Sequence, residues 1–163
     1  MKRMKALVWI VSLGLISCTA PKENEAALLQ KQGIQKISIG DVRLASRLMS
    51  RDEPEQGGGY VYFNVKIEKT DTDRIGKEQA LYLAFDIQQD FVLKAGGRQI
   101  LPGVCQKIEN GRKDIYEYVV AFEAGKELEK EELTLLYKDK IFGVGTVAFV
   151  YDQADLKNFE PKS

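Results

Sequence analysis

The chain predicts an all-β fold, an antiparallel β-sandwich, on three observations. Apolar and polar residues alternate at period two in several stretches. These stretches are short and evenly spaced, and Gly, Pro and Asp clusters separate them. No stretch alternates with a long helical pattern, so a parallel βαβ sheet is not expected, and a closed barrel is the competing architecture. A length of 163 residues suits one domain that buries its own core.

The first strand signal is the alternation of Ile37 and Ile39. The phase then shifts to Val42 and Leu44 across Gly40-Asp41, which reads as a bulge or bend. Arg51 to Gly59 (RDEPEQGGG) is a charged, Pro- and Gly-rich loop. Tyr60 to Glu68 is the clearest strand, with Val61, Phe63, Val65 and Ile67 on one face and Tyr60, Tyr62, Asn64, Lys66 and Glu68 on the other. Leu81, Leu83, Phe85 and Ile87 repeat that alternation and predict a further strand. Phe91 to Leu101 reads as strand, Ala95-Gly96-Gly97-Arg98 turn and strand, closed by Pro102-Gly103. Tyr116, Tyr118, Val120 and Phe122 alternate in the next strand, whose other face carries Ile115, Val119 and Ala121. Lys126 to Glu132 is a solvated connection or helical turn. Leu133 to Tyr137, a Lys138-Asp139-Lys140 turn and Val147 to Tyr151 complete seven or eight strands.

The N-terminus has a different character. Met1 to Lys5 is basic, and Ala6 to Ser17 is an apolar run too short for a standard membrane-spanning helix. That combination is a secretory signal. The run ends on Leu15-Ile16-Ser17-Cys18, which resembles the bacterial lipobox. The resemblance implies that Cys18 is lipidated and becomes the first mature residue, anchoring the chain to a membrane. By the sorting rule of enteric lipoproteins, Thr19, being other than Asp, points to the outer membrane. The expected organisation is a signal peptide at 1–17, lipid anchor and tether at 18–33, sandwich at 34–156 and polar tail at 157–163.

The strand order from Tyr60 to Leu156 resembles bacterial exported proteins with an immunoglobulin-like β-sandwich of unknown function. The matching segments are YVYFNVKI, FVLKAGGRQILPG, YEYVVAFE and LTLLY. Where those relatives carry an Asn-rich connection, this chain has Glu68-Lys69-Thr70-Asp71-Thr72-Asp73. The resemblance implies an immunoglobulin-like, extracytoplasmic binding or structural module.

Composition narrows the chemistry. The chain has 24 basic and 24 acidic residues and no His. Neutral charge argues against a nucleic-acid binder. The missing His removes the commonest general base and metal ligand and any Ser-His-Asp triad. The signal carries Lys2, Arg3 and Lys5 without an acid, so the mature chain is acidic by three charges. With Cys18 lipidated, Cys105 has no intramolecular partner and reads as a small apolar core residue rather than a nucleophile. Asp71 and Asp73 fall short of the six to eight oxygens of a Ca²⁺ site and read as a polar turn. Gly57-Gly58-Gly59 lacks the Lys-Ser/Thr and helix of a phosphate loop. No pattern calls for a catalytic group, metal or cofactor.

Seven tyrosines remain: 60, 62, 82, 116, 118, 137 and 151. Tyr60 and Tyr62 stand on the polar face opposite Val61 and Phe63, where two aromatics make a candidate partner-binding patch or pack across strands. The sequence thus leads to a non-enzymatic, lipid-anchored envelope protein that binds another envelope protein. A structural subunit of a secretion, conjugation or fimbrial assembly is the alternative.

Overall fold

A computed structural model describes residues 33–51, 59–71, 75–124, 131–152 and 155. The signal, Cys18, the tether before Gly33, most of the Arg51–Gly59 and Lys126–Glu132 connections and the tail at 157–163 lie outside the described residues.

Among the described residues nine strands form: β1 (Ile34–Ile39), β2 (Val42–Arg51), β3 (Gly59–Lys69), β4 (Phe91–Ala95), β5 (Arg98–Ile100), β6 (Val104–Ile108), β7 (Ile115–Ala124), β8 (Leu133–Lys138) and β9 (Thr146–Tyr151). They make two antiparallel sheets, one ordered β1-β2-β3-β7-β6 and the other β5-β4-β8-β9. This is a sandwich, not one closed barrel. Lettering β2 to β9 as A, B, C, C′, D, E, F and G gives A-B-E-D against C′-C-F-G. That is the immunoglobulin-like strand order, with β1 added outside the first strand.

The alternation of β3 holds residue by residue. Val61, Phe63, Val65 and Ile67 are fully buried, each contributing about 1.5–3 kcal/mol by leaving water. Phe63 meets Phe122 of β7 edge-on at 5.9 Å and Tyr151 of the facing sheet at 5.2 Å. Phe91 of β4 faces Tyr118 of β7 at 6.3 Å. These aromatics fill the space between the sheets.

The buried tyrosines need partners for their hydroxyls. Tyr118 donates to Leu83 O (2.9 Å), Tyr137 to Asp139 Oδ1 (3.0 Å) and Tyr151 to Ser46 Oγ (2.6 Å). Burial holds all three phenols above their ordinary pKa. They belong to the core rather than to a binding face.

Three local expectations are corrected. Gly40-Asp41 is a two-residue hairpin turn joining β1 to β2, with Ile39 opposite Val42. Gly40 has φ 58°, the left-handed conformation such a turn needs at its first central position. Leu81 to Ile87 is not a strand: α1 (Lys77–Phe85) and a 3-10 turn (Ile87–Asp90) occupy it. The helix sequence KEQALYLAF is rich in strong helix formers and has no β-branched residue. Gln79 Oε1 accepts the Gly76 N–H at 3.0 Å, covering one of the orphan donors at the helix start. Of the four alternating residues only Leu83 and Ile87, spaced by four as on a helix face, are buried. Among the described residues the strand count is nine rather than seven or eight: the strand expected at 81–87 drops out, the Gly40-Asp41 turn divides β1 from β2, and β6 escapes a period-two search. On this edge strand Cys105 packs against the core while Val104 is exposed.

The Phe91–Leu101 hairpin forms as expected, with Gly96 and Gly97 at φ 52° and 77° in its turn. The edge of β9 is closed by a side chain. The Gln35 carboxamide accepts from Val150 N–H at 3.1 Å and donates to Val150 O, as a neighbouring strand would.

Candidate functional site: an exposed apolar surface at helix α1

Helix α1 is held by one face only. Leu83 is its single buried residue, and its carbonyl accepts the buried Tyr118 hydroxyl. Tyr82 donates to Asp90 Oδ1 at 2.7 Å. Lys140 Nζ lies 2.8 Å from both the Tyr82 hydroxyl and Asp90 Oδ1. Asp90 is fully buried, and its Oδ2 has no partner among the described residues. The hydrogen bond to Asp90, then that to Tyr82, holds the Lys140 ammonium above its usual pKa. Burial raises the Tyr82 phenol.

The loop carrying Lys140 is itself ordered by a carboxylate. Asp139 accepts the N–H groups of Ile141, Phe142 and Val144 at 2.8 to 3.0 Å as well as the Tyr137 hydroxyl. The expected Lys138-Asp139-Lys140 turn is therefore a strap from the β8–β9 end onto helix α1.

With that face fixed, the other points outward. Leu81 and Phe85, one turn apart, are 49% and 79% exposed. Leu101, at the crossover from β5 to β6, is 70% exposed. Gln88 Nε2 donates to Pro102 O at 2.9 Å, fixing that crossover against the 3-10 turn. Between them opens a cavity of about 500 Å³ lined by Phe85, Asp86, Gln88, Gln89, Leu101 and Pro102. Large apolar side chains grouped on a rigid surface and rimmed by polar groups mark interaction sites more often than scattered ones do.

The two tyrosines singled out in sequence adjoin this surface. Tyr60 is 36% exposed and Tyr62 half-buried, with ring centroids 6.2 Å apart. Tyr62 lies opposite Ala121, which lies opposite the exposed Val104, so the three form one row across β3, β7 and β6. A methyl placed on Gly103 would stand 3.4 Å from Tyr60 Cε1, so the Tyr60 ring rests by the crossover. Residues 101–104 thus join the tyrosine pair to the Phe85 cavity. Leu81, Phe85, Leu101 and Val104 were not legible as site residues. The first two complete a strand-like alternation with Leu83 and Ile87, and the available signal is the Leu83–Ile87 spacing.

Cys105 packs against the core, and burial pushes its thiol up to about 11. No group of three or more His, Cys, Asp or Glu side chains suited to a metal ion occurs among the described residues. Asp71 is described but Asp73 is not. A second cavity of about 400 Å³ includes Gly33, Gln35, Glu132, Val150, Asp152 and Asp155 in its lining. Burial raises the Asp155 carboxyl there.

The fold and this surface define a class, an immunoglobulin-like sandwich with an exposed apolar crossover. Comparison with protein-family models, curated proteins and solved structures finds no match for this chain.

Proposed function

We propose that this protein is a lipid-anchored envelope lipoprotein that acts as a non-enzymatic protein-binding module. Its contact surface comprises Leu81, Phe85 and Leu101, continued by Val104, Tyr60 and Tyr62. The observation that carries this reading is the exposure of Phe85 and Leu101 on either side of one cavity, with the crossover tied to the 3-10 turn by the Gln88–Pro102 hydrogen bond.

One further fact supports it. The chain enters the sandwich through β1, at the opposite edge of the five-stranded sheet from β6. Four strand spacings, about 19 Å, separate those edges.

The test is an affinity pull-down with the full chain as bait against detergent-solubilised envelope of the source bacterium. A stoichiometric partner that is lost with Phe85→Asp or Leu101→Asp, and retained with Arg43→Asp on the exposed face of β2, is the expected result. A partner retained by all three variants contradicts the surface assignment.

A further inference from the structure

The two sheets are unequal, and β1 overhangs the smaller one. Tyr151 of β9 bonds Ser46 of β2 and meets Phe63 of β3, while Phe91 of β4 faces Tyr118 of β7. Strand β9 therefore lies under β2. Strand β1, the next one outward, has no described strand of the four-stranded sheet opposite it. Register sets Gln35, Ile37 and Ile39 of β1 beside the inward-facing Ser46, Leu44 and Val42 of β2. Their side chains thus stand over the outer edge of β9. Ile37 rests on the rim of the core, and Ile39 is exposed.

The same edge of β9 is able to pair. Val150 turns its N–H and C=O outward, since both bond the Gln35 carboxamide. Antiparallel strands alternate in phase, so Ala148 and Thr146 turn theirs outward as well. No strand pairs with them among the described residues. The β9 sequence TVAFVY has no charge and no Pro, which are common protections of an edge strand. The Gln35 amide shows what chemistry fits, because it is a peptide-like group bonded as a neighbouring strand would be.

A strand added here pairs with β9 through its backbone and lays alternate side chains against Ile37 and Ile39. A second copy does not fit, because its own β2 covers its β9 and would stand where β1 stands. Downstream of Cys18, residues 19–32, 52–58, 125–130 and 156–163 contain no run of alternating apolar residues to supply such a strand.

We propose that the outer edge of β9 receives an extended, alternately apolar segment of a partner polypeptide, paired backbone to backbone at Thr146 and Ala148 and covered by Ile37 and Ile39. Gln35 holds the Val150 position until the strand reaches it. This surface is separate from the α1 face, which adjoins β6 at the other side of the sandwich.

The test uses ¹H–¹⁵N NMR of the full chain in detergent, titrated with acetyl-Lys-Val-Thr-Val-Thr-Val-Lys-amide and with the same peptide N-methylated at every residue. N-methylation keeps the side chains and removes the backbone donors. The expected result is that the first peptide shifts the amides of Thr146, Ala148 and Val150 at millimolar concentration, with the methylated one weaker by about tenfold or more. Ala148→Pro removes an outward donor without touching the β8 ladder and is expected to abolish the response. Ile39→Asp, at an exposed position, is expected to weaken it while the signals of the sandwich stay in place. Gln35→Ala frees Val150 and is expected to strengthen it. Equal response to both peptides, shifts confined to β5 or β6, or no response at millimolar peptide overturns the proposal. Exchange protection of the Thr146 and Ala148 amides before peptide is added also overturns it, because a second copy or another part of the chain then covers the edge.

Discussion

Ser46 and Tyr151 join the two sheets through a buried hydrogen bond, and a double-mutant cycle measures it. Ser46 stands in the inward row Val42, Leu44, Ser46, Leu48 of β2, and Tyr151 ends β9 on the facing sheet. Both are fully buried, with their oxygens 2.6 Å apart. Tyr151→Phe leaves the serine hydroxyl without its partner, and Ser46→Ala strands the tyrosine hydroxyl. Each is expected to cost about 1–3 kcal/mol, the desolvation of an unsatisfied polar group. Removing both groups leaves nothing stranded, so the double variant is expected to lose less than either single, about 0–1 kcal/mol. The strong non-additivity is the signature of direct contact. Urea unfolding followed by circular dichroism reads it as a shift in midpoint at constant slope. Thermal unfolding gives roughly 3–6 °C per kcal/mol for a domain of this size. A double variant whose loss equals the sum of the singles would refute the described packing of β9 on β2.

Three further outcomes are expected. Leu83→Ala removes the one buried side chain of α1 and is expected to cost about 2–5 kcal/mol; hydrogen exchange should show Lys77–Phe85 opening ahead of the strands, and unchanged protection there would contradict the one-sided anchoring. Asp139→Ala takes the acceptor from three loop N–H groups and the Tyr137 hydroxyl, and a loss of about 1–3 kcal/mol with greater exchange at Ile141, Phe142 and Val144 is expected; a melting temperature equal to the parent's would count against it. Burial moves the Cys105 pKa from 9.0 to about 11, so its thiolate fraction at pH 8 is about 100-fold below that of a free thiol. Labelling with a maleimide should be slowed accordingly and accelerate up to pH 11. Between pH 9 and 11 the unfolded state releases this proton while the folded state keeps it, so the group's contribution to stability falls as pH rises. A free-thiol labelling rate at pH 8 would contradict the packing of Cys105.

The legible parts of the fold are those where one face of a strand is buried and the other is wet. Tyr60 to Glu68 shows this at every position, and the Gly96-Gly97 turn announces its hairpin because both residues take positive φ. Strand β6 was hidden because an edge strand has little to bury. Helix α1 was hidden for the opposite reason. Leu81 and Phe85 are apolar but face outward, so they completed a false alternation with Leu83 and Ile87. The same two residues are why the candidate surface was only half visible. Tyr60 and Tyr62 lie on an outward row that sequence can identify. Phe85 and Leu101, far apart in sequence and in different connections, come to line one cavity only when the crossover docks on the 3-10 turn. Ser46 in an apolar row likewise makes sense only once Tyr151 stands opposite.

The central claim is that the outward face of α1 and the β5–β6 crossover form the contact surface. Site-specific photo-crosslinking in living cells of the source organism tests this assignment. A photoreactive residue is placed singly at Phe85, at Leu101 and at Arg43 in the full chain. One shared adduct from positions 85 and 101 and none from 43 is the expected result. The same adduct from all three positions, or none from 85 and 101 in chain shown to be folded, would contradict it.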